Sequence, residues 1–170
     1  MTLEFRIRDL LYPPLNILHE AGVRFGMRVL DLGCGPGSFS IAAARLVGTE
    51  GFVWAVDIHP LAIKYVKKGI KRWGLANIRT LTESQLGEIP EESVDMVLIY
   101  DLLHDLEDPA SALGESHRTL KNDGILSVRD HRLGEKELIE AVSSGGKYLL
   151  NNKNQFSYTF NKVIQGEAIP

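Results

Sequence analysis

Residues 29–37 read VLDLGCGPG, from Val29 to Gly37, and this stretch decides the fold. An apolar run of strand length, Met27–Leu32, ends in an acid and three glycines spaced by single residues. Behind it, SFSIAAARLV has the Ala and Leu content of a helix, and Gly48 stands where a helix C-cap belongs. Strand, glycine turn and helix in that order form a ligand-binding βα unit. Glycines there allow positive φ and close approach of the backbone to a ligand, and the helix N-terminus beyond presents free N–H groups.

The same alternation continues outward. Gly51–Asp57 (GFVWAVD) reads as a second strand, and Pro60 to Gly74 spans a helix with proline in its first turn. A weaker strand lies near Asn77–Thr82, and Ser93–Tyr100 (SVDMVLIY) has the continuous apolar character of a buried strand. Asp108 and Pro109 open a helix running to about Leu120. Gly124–Arg129 is a fifth strand and Lys136–Ser144 a helix. The segment KYLLNNKNQFSYTFNKV holds two strand-like runs around the polar cluster Asn151–Asn154, which reads as an antiparallel hairpin. This order predicts an α/β fold: a doubly wound, mostly parallel sheet between two helical layers, binding its ligand outside the carboxyl ends of the strands.

Composition sets the outer bounds. The chain has 170 residues, so one domain is expected: a short N-terminal helical segment at 1–26 and a core at 27–170. Hydrophobic residues make up 44% and charged residues 24%, which excludes disorder, collagen and coiled coil. No apolar run reaches the ~18–20 residues of a bilayer span, and the N-terminus lacks a signal-peptide pattern, so a cytoplasmic protein is expected. The net charge of -3 disfavours general nucleic-acid binding. One cysteine supplies neither a disulfide nor a cysteine metal cluster, and no metal is expected.

Two acids flank the glycine loop. Asp31 precedes Gly33 by two residues, and Asp57 ends the second strand, where a carboxylate can accept both hydroxyls of a ribose. A dinucleotide reader has G-x-G-x-x-G, but Ser38 falls where its third glycine would be, and Asp31 is unhelpful beside a pyrophosphate. An acid there suits a ligand with a positive amino group. S-adenosylmethionine carries an ammonium, a sulfonium and a ribose, and no phosphate.

VLDLGCGPG (Val29–Gly37) resembles the first motif of class I S-adenosylmethionine-dependent methyltransferases. VWAVDIHP (Val53–Pro60) is similar to their second-strand motif. IPEESVDMVLIYDLLHDLEDP (Ile89–Pro109) and HRTLKNDGIL (His117–Leu126) resemble the small members related to ubiquinone and menaquinone biosynthesis. The resemblance covers about residues 15–130. It implies a seven-stranded sheet whose last antiparallel strand inserts beside strand five, and methyl transfer that leaves S-adenosylhomocysteine. It places Gly33, Gly35 and Gly37 under the methionyl part, with Cys34 in the same cofactor-binding loop, Asp31 at the amino group, Asp57 on the ribose and Ile58 on the adenine. Ser84 is the counterpart of the family's adenine-binding acid, and Tyr100 and Asp101 would face the transferred methyl. His104 matches the first His of the family's frequent Leu-His-His, and Asp105 replaces the second.

Other readings stand beside these. Asp31 and Asp57 can cap the loop and the next helix, and the Cys34 side chain reads as a small buried filler. Asp101 and His104, three apart, can form an acid–base pair on one helical turn; equally, Asp101 can cap the turn while His104 packs. Asp130-His131 also lies at the ligand edge, at the end of strand five, but reads rather as a surface turn, and Asp95 reads as structural. The Lys64, Lys67, Lys68 and Lys71 stripe reads as a solvated helix face. A small-molecule acceptor is expected. A macromolecular acceptor, a homo-oligomer, a non-catalytic cofactor-binding module and an NAD(P)-dependent oxidoreductase are the alternatives. Arsenite methylation is not expected, because in the family it relies on several cysteines and only Cys34 is present.

Overall fold

A computed structural model of the chain describes residues 13–164. Its elements follow the alternation closely. Helix α1 (Pro14–Ala21) leads into β1 (Arg28–Leu32), α2 (Ser38–Val47), β2 (Phe52–Val56), α3 (Pro60–Trp73) and β3 (Ile78–Leu81). Then come a 3-10 turn (Glu83–Glu88), β4 (Val94–Tyr100), a second 3-10 turn (Leu103–Asp105), α4 (Pro109–Thr119) and β5 (Leu120–Arg129). Helix α5 (Glu135–Ser143) and the hairpin β6 (Tyr148–Lys153) and β7 (Tyr158–Lys162) complete the described chain.

The seven strands form one sheet in the order β3-β2-β1-β4-β5-β7-β6. The first five are parallel; β7 runs antiparallel beside β5, and β6 antiparallel at the edge. Side chains alternate between the faces with the period of two that a strand imposes. Leu30, Trp54, Val56, Val97 and Ile99 pack in one cluster with Leu113 of α4 and Leu138 and Val142 of α5. Val29, Val53, Ala55, Met96 and Leu98 pack in another with Leu18 of α1, Phe39 and Ala43 of α2 and Val66 of α3. Both faces of the central strands are buried, which is why they read as unbroken apolar runs.

Two expected boundaries move. Strand β5 starts at Leu120 rather than Gly124, because fully buried Leu120 pairs with Val94 across a register shift. Gly124 sits inside this strand, where a Cβ would lie 3.1 Å from the Val94 carbonyl oxygen. The polar residues Asn151–Lys153 lie in β6 rather than in the turn, and Asn154 donates to the Ser157 carbonyl at 2.8 Å to close the hairpin. An edge strand faces water, so a polar sequence can occupy it. Asp95 is structural as expected, accepting from the Arg28 backbone N–H at 2.7 Å and pairing with Lys121. The α3 lysines are exposed.

The sheet order reverses between β1 and β4. Ligand crevices in open α/β sheets lie at such a switch point, past the carboxyl ends of the strands. The loops after β1 and β4 meet there: a Cβ on Gly33 would stand 2.7 Å from Leu102 Cδ2.

Candidate cofactor and acceptor site

The loop after β1 holds its shape through backbone geometry. Gly35 and Gly37 have φ of 51° and 88°, in the left-handed region that side-chain-bearing residues rarely adopt. A Cβ on Gly37 would lie 2.7 Å from Val66 Cγ2, so α3 packs directly on the loop. A Cβ on Gly35 would meet nothing within 4 Å, so this residue lines open space.

The two acids are anchored from opposite sides. Asp31, almost fully buried, shares the α2 face of β1 and accepts a short hydrogen bond from the Ser40 hydroxyl of α2. Asp57 follows β2. Its Oδ2 accepts from the Gly35 N–H at 2.8 Å and its Oδ1 from the His59 N–H at 2.8 Å. Asp57 therefore ties the loop after β1 to the turn after β2, a contact that its reading as a helix-entry acid did not include, and each oxygen keeps a further lone pair for a ligand hydroxyl. No lysine or arginine lies within the loop sequence Gly33–Gly37. Two carboxylates, an open glycine cradle and no cation in the loop suit a ligand with hydroxyls and an amino group better than a pyrophosphate.

Around this cradle, Ile58 is 62% exposed, an apolar side chain open to a ring. Ser84 is exposed and hydrogen-bonded to Thr82 Oγ1 at 3.0 Å, within a capping box formed by Thr82 and Gln85. Cys34 is buried. Desolvation, then the charges of Asp31 and Asp57, push its thiol far above the ordinary range, which fits a filler and not a nucleophile. Tyr100 is buried edge-on against Phe39, ring centroids 4.7 Å apart, with its hydroxyl 2.9 Å from Ser127 Oγ. Burial pushes its phenol up to about 12, so it stays protonated at neutral pH.

At the ends of β4 and β5, where the spacing left an Asp101–His104 pair and a capping role for Asp101 equally open, the structure has two cross-strand pairs. His104 Nδ1 lies 2.8 Å from both carboxylate oxygens of Asp130, and Asp130 also accepts from the backbone N–H groups of His104 and Arg132. Asp101, at φ 54°, lies 3.1 Å from His131 Nδ1 and 3.6 Å from Arg129 Nε. The reason is registry: Tyr100 and Arg129 are partners across β4 and β5, so the residues following them emerge side by side. Burial alone would raise the Asp130 carboxyl; the Arg132 and His104 hydrogen bonds outweigh it and hold it below its usual value.

Asp130-His131 is thus not an isolated surface turn. It lines a cavity of about 500 Å³ between the end of β5 and the hairpin turn, with Arg129, Lys153, Phe156 and Tyr158. The signal that could have found it is an Asp-His dipeptide at the carboxyl end of a central strand.

Residues 24–166 match the family described as "Methyltransferase domain", and the chain belongs to it. It is similar to curated methyltransferases of ubiquinone and menaquinone biosynthesis. Over 159 residues it is 28% identical to the ubiquinone/menaquinone biosynthesis C-methyltransferase UbiE of Marinomonas sp., covering 87% of this chain and 63% of that protein. Over 111 residues it is 31% identical to the demethylmenaquinone methyltransferase of Geobacillus kaustophilus, covering 65% of this chain and 47% of the relative. The chain spans less than two thirds of the length of these two curated relatives. Its fold matches that of a SAM-dependent methyltransferase from Aquifex aeolicus with a TM-score of 0.76 over 91% of both chains, at 23% identity. Among the described residues no helix is long and apolar enough to cross a membrane.

Proposed function

We propose that this chain transfers a methyl group from S-adenosylmethionine to a small-molecule acceptor, leaving S-adenosylhomocysteine. The observation that carries the reading is the glycine cradle bounded by Asp31 and Asp57 with no cation in the loop. When bound, the cofactor supplies an electrophilic methyl on a sulfonium.

The chain's own residues then divide the work. Asp57 accepts hydrogen bonds from the ribose hydroxyls while holding the Gly35 N–H. Asp31 faces the amino group, Gly33, Cys34, Gly35 and Gly37 support the methionyl part with their backbone, and Ile58 and Ser84 border the adenine. Tyr100 walls the methyl side. Asp101 and His104 border the acceptor, where a carboxylate or imidazole can take a proton from an acidic hydroxyl or carbon. Holding the acceptor in line with the methyl can contribute ~7–11 kcal/mol of barrier lowering. The cavity beside Asp130 and His131 is the place for that acceptor. The names of the two curated relatives favour a quinone-like ring as its class.

Calorimetric titration with S-adenosylhomocysteine and with NAD tests the reading. Saturable binding of the first and none of the second is expected; the reverse would make the chain a dinucleotide protein. Release of S-adenosylhomocysteine in the presence of quinone-like acceptors separates an enzyme from a non-catalytic module.

A further inference from the structure

We infer that His104, Asp130 and His131 bind one divalent transition-metal ion, against the sequence expectation of no metal. One ligand atom from each of the three lies within 4.8 Å of the others, and the two imidazoles stand edge to face with centroids 5.3 Å apart. Donors bound to one tetrahedral ion at ~2.0–2.2 Å lie about 3.3–3.6 Å apart. Closure of up to about 1.5 Å brings the widest pair onto one ion, and the exposed His131 ring has the freedom to supply it.

The surroundings are those of a ligand set. His131 Nδ1 faces the Asp101 carboxylate at 3.1 Å, which leaves its other ring nitrogen for an ion. His104 Nε2 faces Asp105 at 3.2 Å, which leaves Nδ1, and that nitrogen is already 2.8 Å from Asp130. Each histidine thus has a carboxylate on its far nitrogen, the arrangement that orients metal-bound imidazoles. The Asp130 side chain is buried, although the residue as a whole is partly exposed, and two backbone N–H groups hold it, so its carboxylate is preorganised. The local charge also favours a cation. Asp101, Asp105 and Asp130 face Arg129 and Arg132, and the two arginine pairs are loose, at 3.6 and 3.7 Å. Two imidazoles with a carboxylate select zinc, cobalt, manganese or iron over magnesium or calcium. Neighbouring Asp130 and His131 line the cavity, so an ion here would face it.

This inference goes beyond the methyl-transfer reading and does not rest on it; with the ion bound, His104 is a ligand and not a base. The test is calorimetric titration of tag-free, chelator-treated protein with zinc, and absorption titration with cobalt. One equivalent should bind, with cobalt bands in the visible. His131→Ala, an exposed change that leaves the buried pair intact, should weaken binding at least ~10-fold without altering the thermal melt. Asp101→Asn should weaken it ~10–100-fold. Absence of saturable binding in the wild type, or unchanged affinity in His131→Ala, would overturn the inference. S-adenosylhomocysteine titration of the same preparations reports the cofactor site separately, so failure of one is distinguishable from failure of the other.

Discussion

Asp57 Oδ2 accepts the Gly35 N–H at 2.8 Å, a bond between the end of β2 and the loop after β1. One carboxylate thereby shapes the cradle and also presents acceptors to whatever lies in it. The second role dominates binding, because hydrogen bonds to a charged group contribute about 1.5–3 kcal/mol each. Asp57→Ala is expected to weaken S-adenosylhomocysteine binding by roughly 100-fold or more, at about tenfold per 1.4 kcal/mol. Asp57→Asn, which keeps one acceptor oxygen, should fall between. Calorimetric titration measures both, and an unchanged Kd in Asp57→Ala would remove this residue from the site.

The loop glycines should separate folding from binding. At Gly37 an added methyl group meets Val66 Cγ2 at 2.7 Å and sits at φ 88°, so Gly37→Ala should destabilise by about 1–3 kcal/mol. At Gly35 the methyl group enters open space, so Gly35→Ala should carry only the left-handed strain, about 1–2 kcal/mol. It should nevertheless weaken cofactor binding more than ~10-fold, because the methyl group occupies the cradle. Urea unfolding and calorimetry on the two variants check the contrast.

Alkaline stability should depend on Tyr100. Burial raises its phenol from the ordinary 10.0 to about 12. Between these values the unfolded chain loses a proton that the folded chain keeps, so stability falls as pH rises above 10. The limiting slope is roughly 1.4 kcal/mol per pH unit for one such group. Tyr148, raised in the same direction by burial, adds to the fall. Tyr100→Phe should cost about 1 kcal/mol at neutral pH for the lost Ser127 hydrogen bond. It should also show a shallower decline above pH 10. Urea titrations from pH 8 to 11 would reveal it, and identical slopes would mean that Tyr100 ionises normally.

Cys34 should be chemically quiet. Its thiol is raised by burial and by two nearby carboxylates, so little thiolate forms at pH 8. Alkylation by iodoacetamide should run at least ~100-fold slower in the folded protein than in urea. Comparable rates in the two conditions would contradict the buried placement.

The fold was legible because its signals are local. Apolar runs, glycine C-caps, Pro60 and the Asp108-Pro109 helix start are read from neighbours in the chain. Asp108 indeed accepts from the Ser111 N–H at 3.1 Å. The boundary of β5 was not legible, since it depends on Val94 pairing with Leu120 across the sheet.

The sequence by itself determined the α/β alternation, the glycine loop and the two acids that bracket it, because each lies within or directly after one strand. Tertiary structure decided the rest of the site. Spacing suggested that His104 belongs with Asp101, three residues earlier, but it pairs with Asp130, 26 residues later, and Asp101 pairs with His131. Parallel registry sets Tyr100 opposite Arg129, and the two strand ends release their next residues at the same edge. Proximity across a sheet follows from strand order and register, and neither is encoded in the separation of residues along the chain.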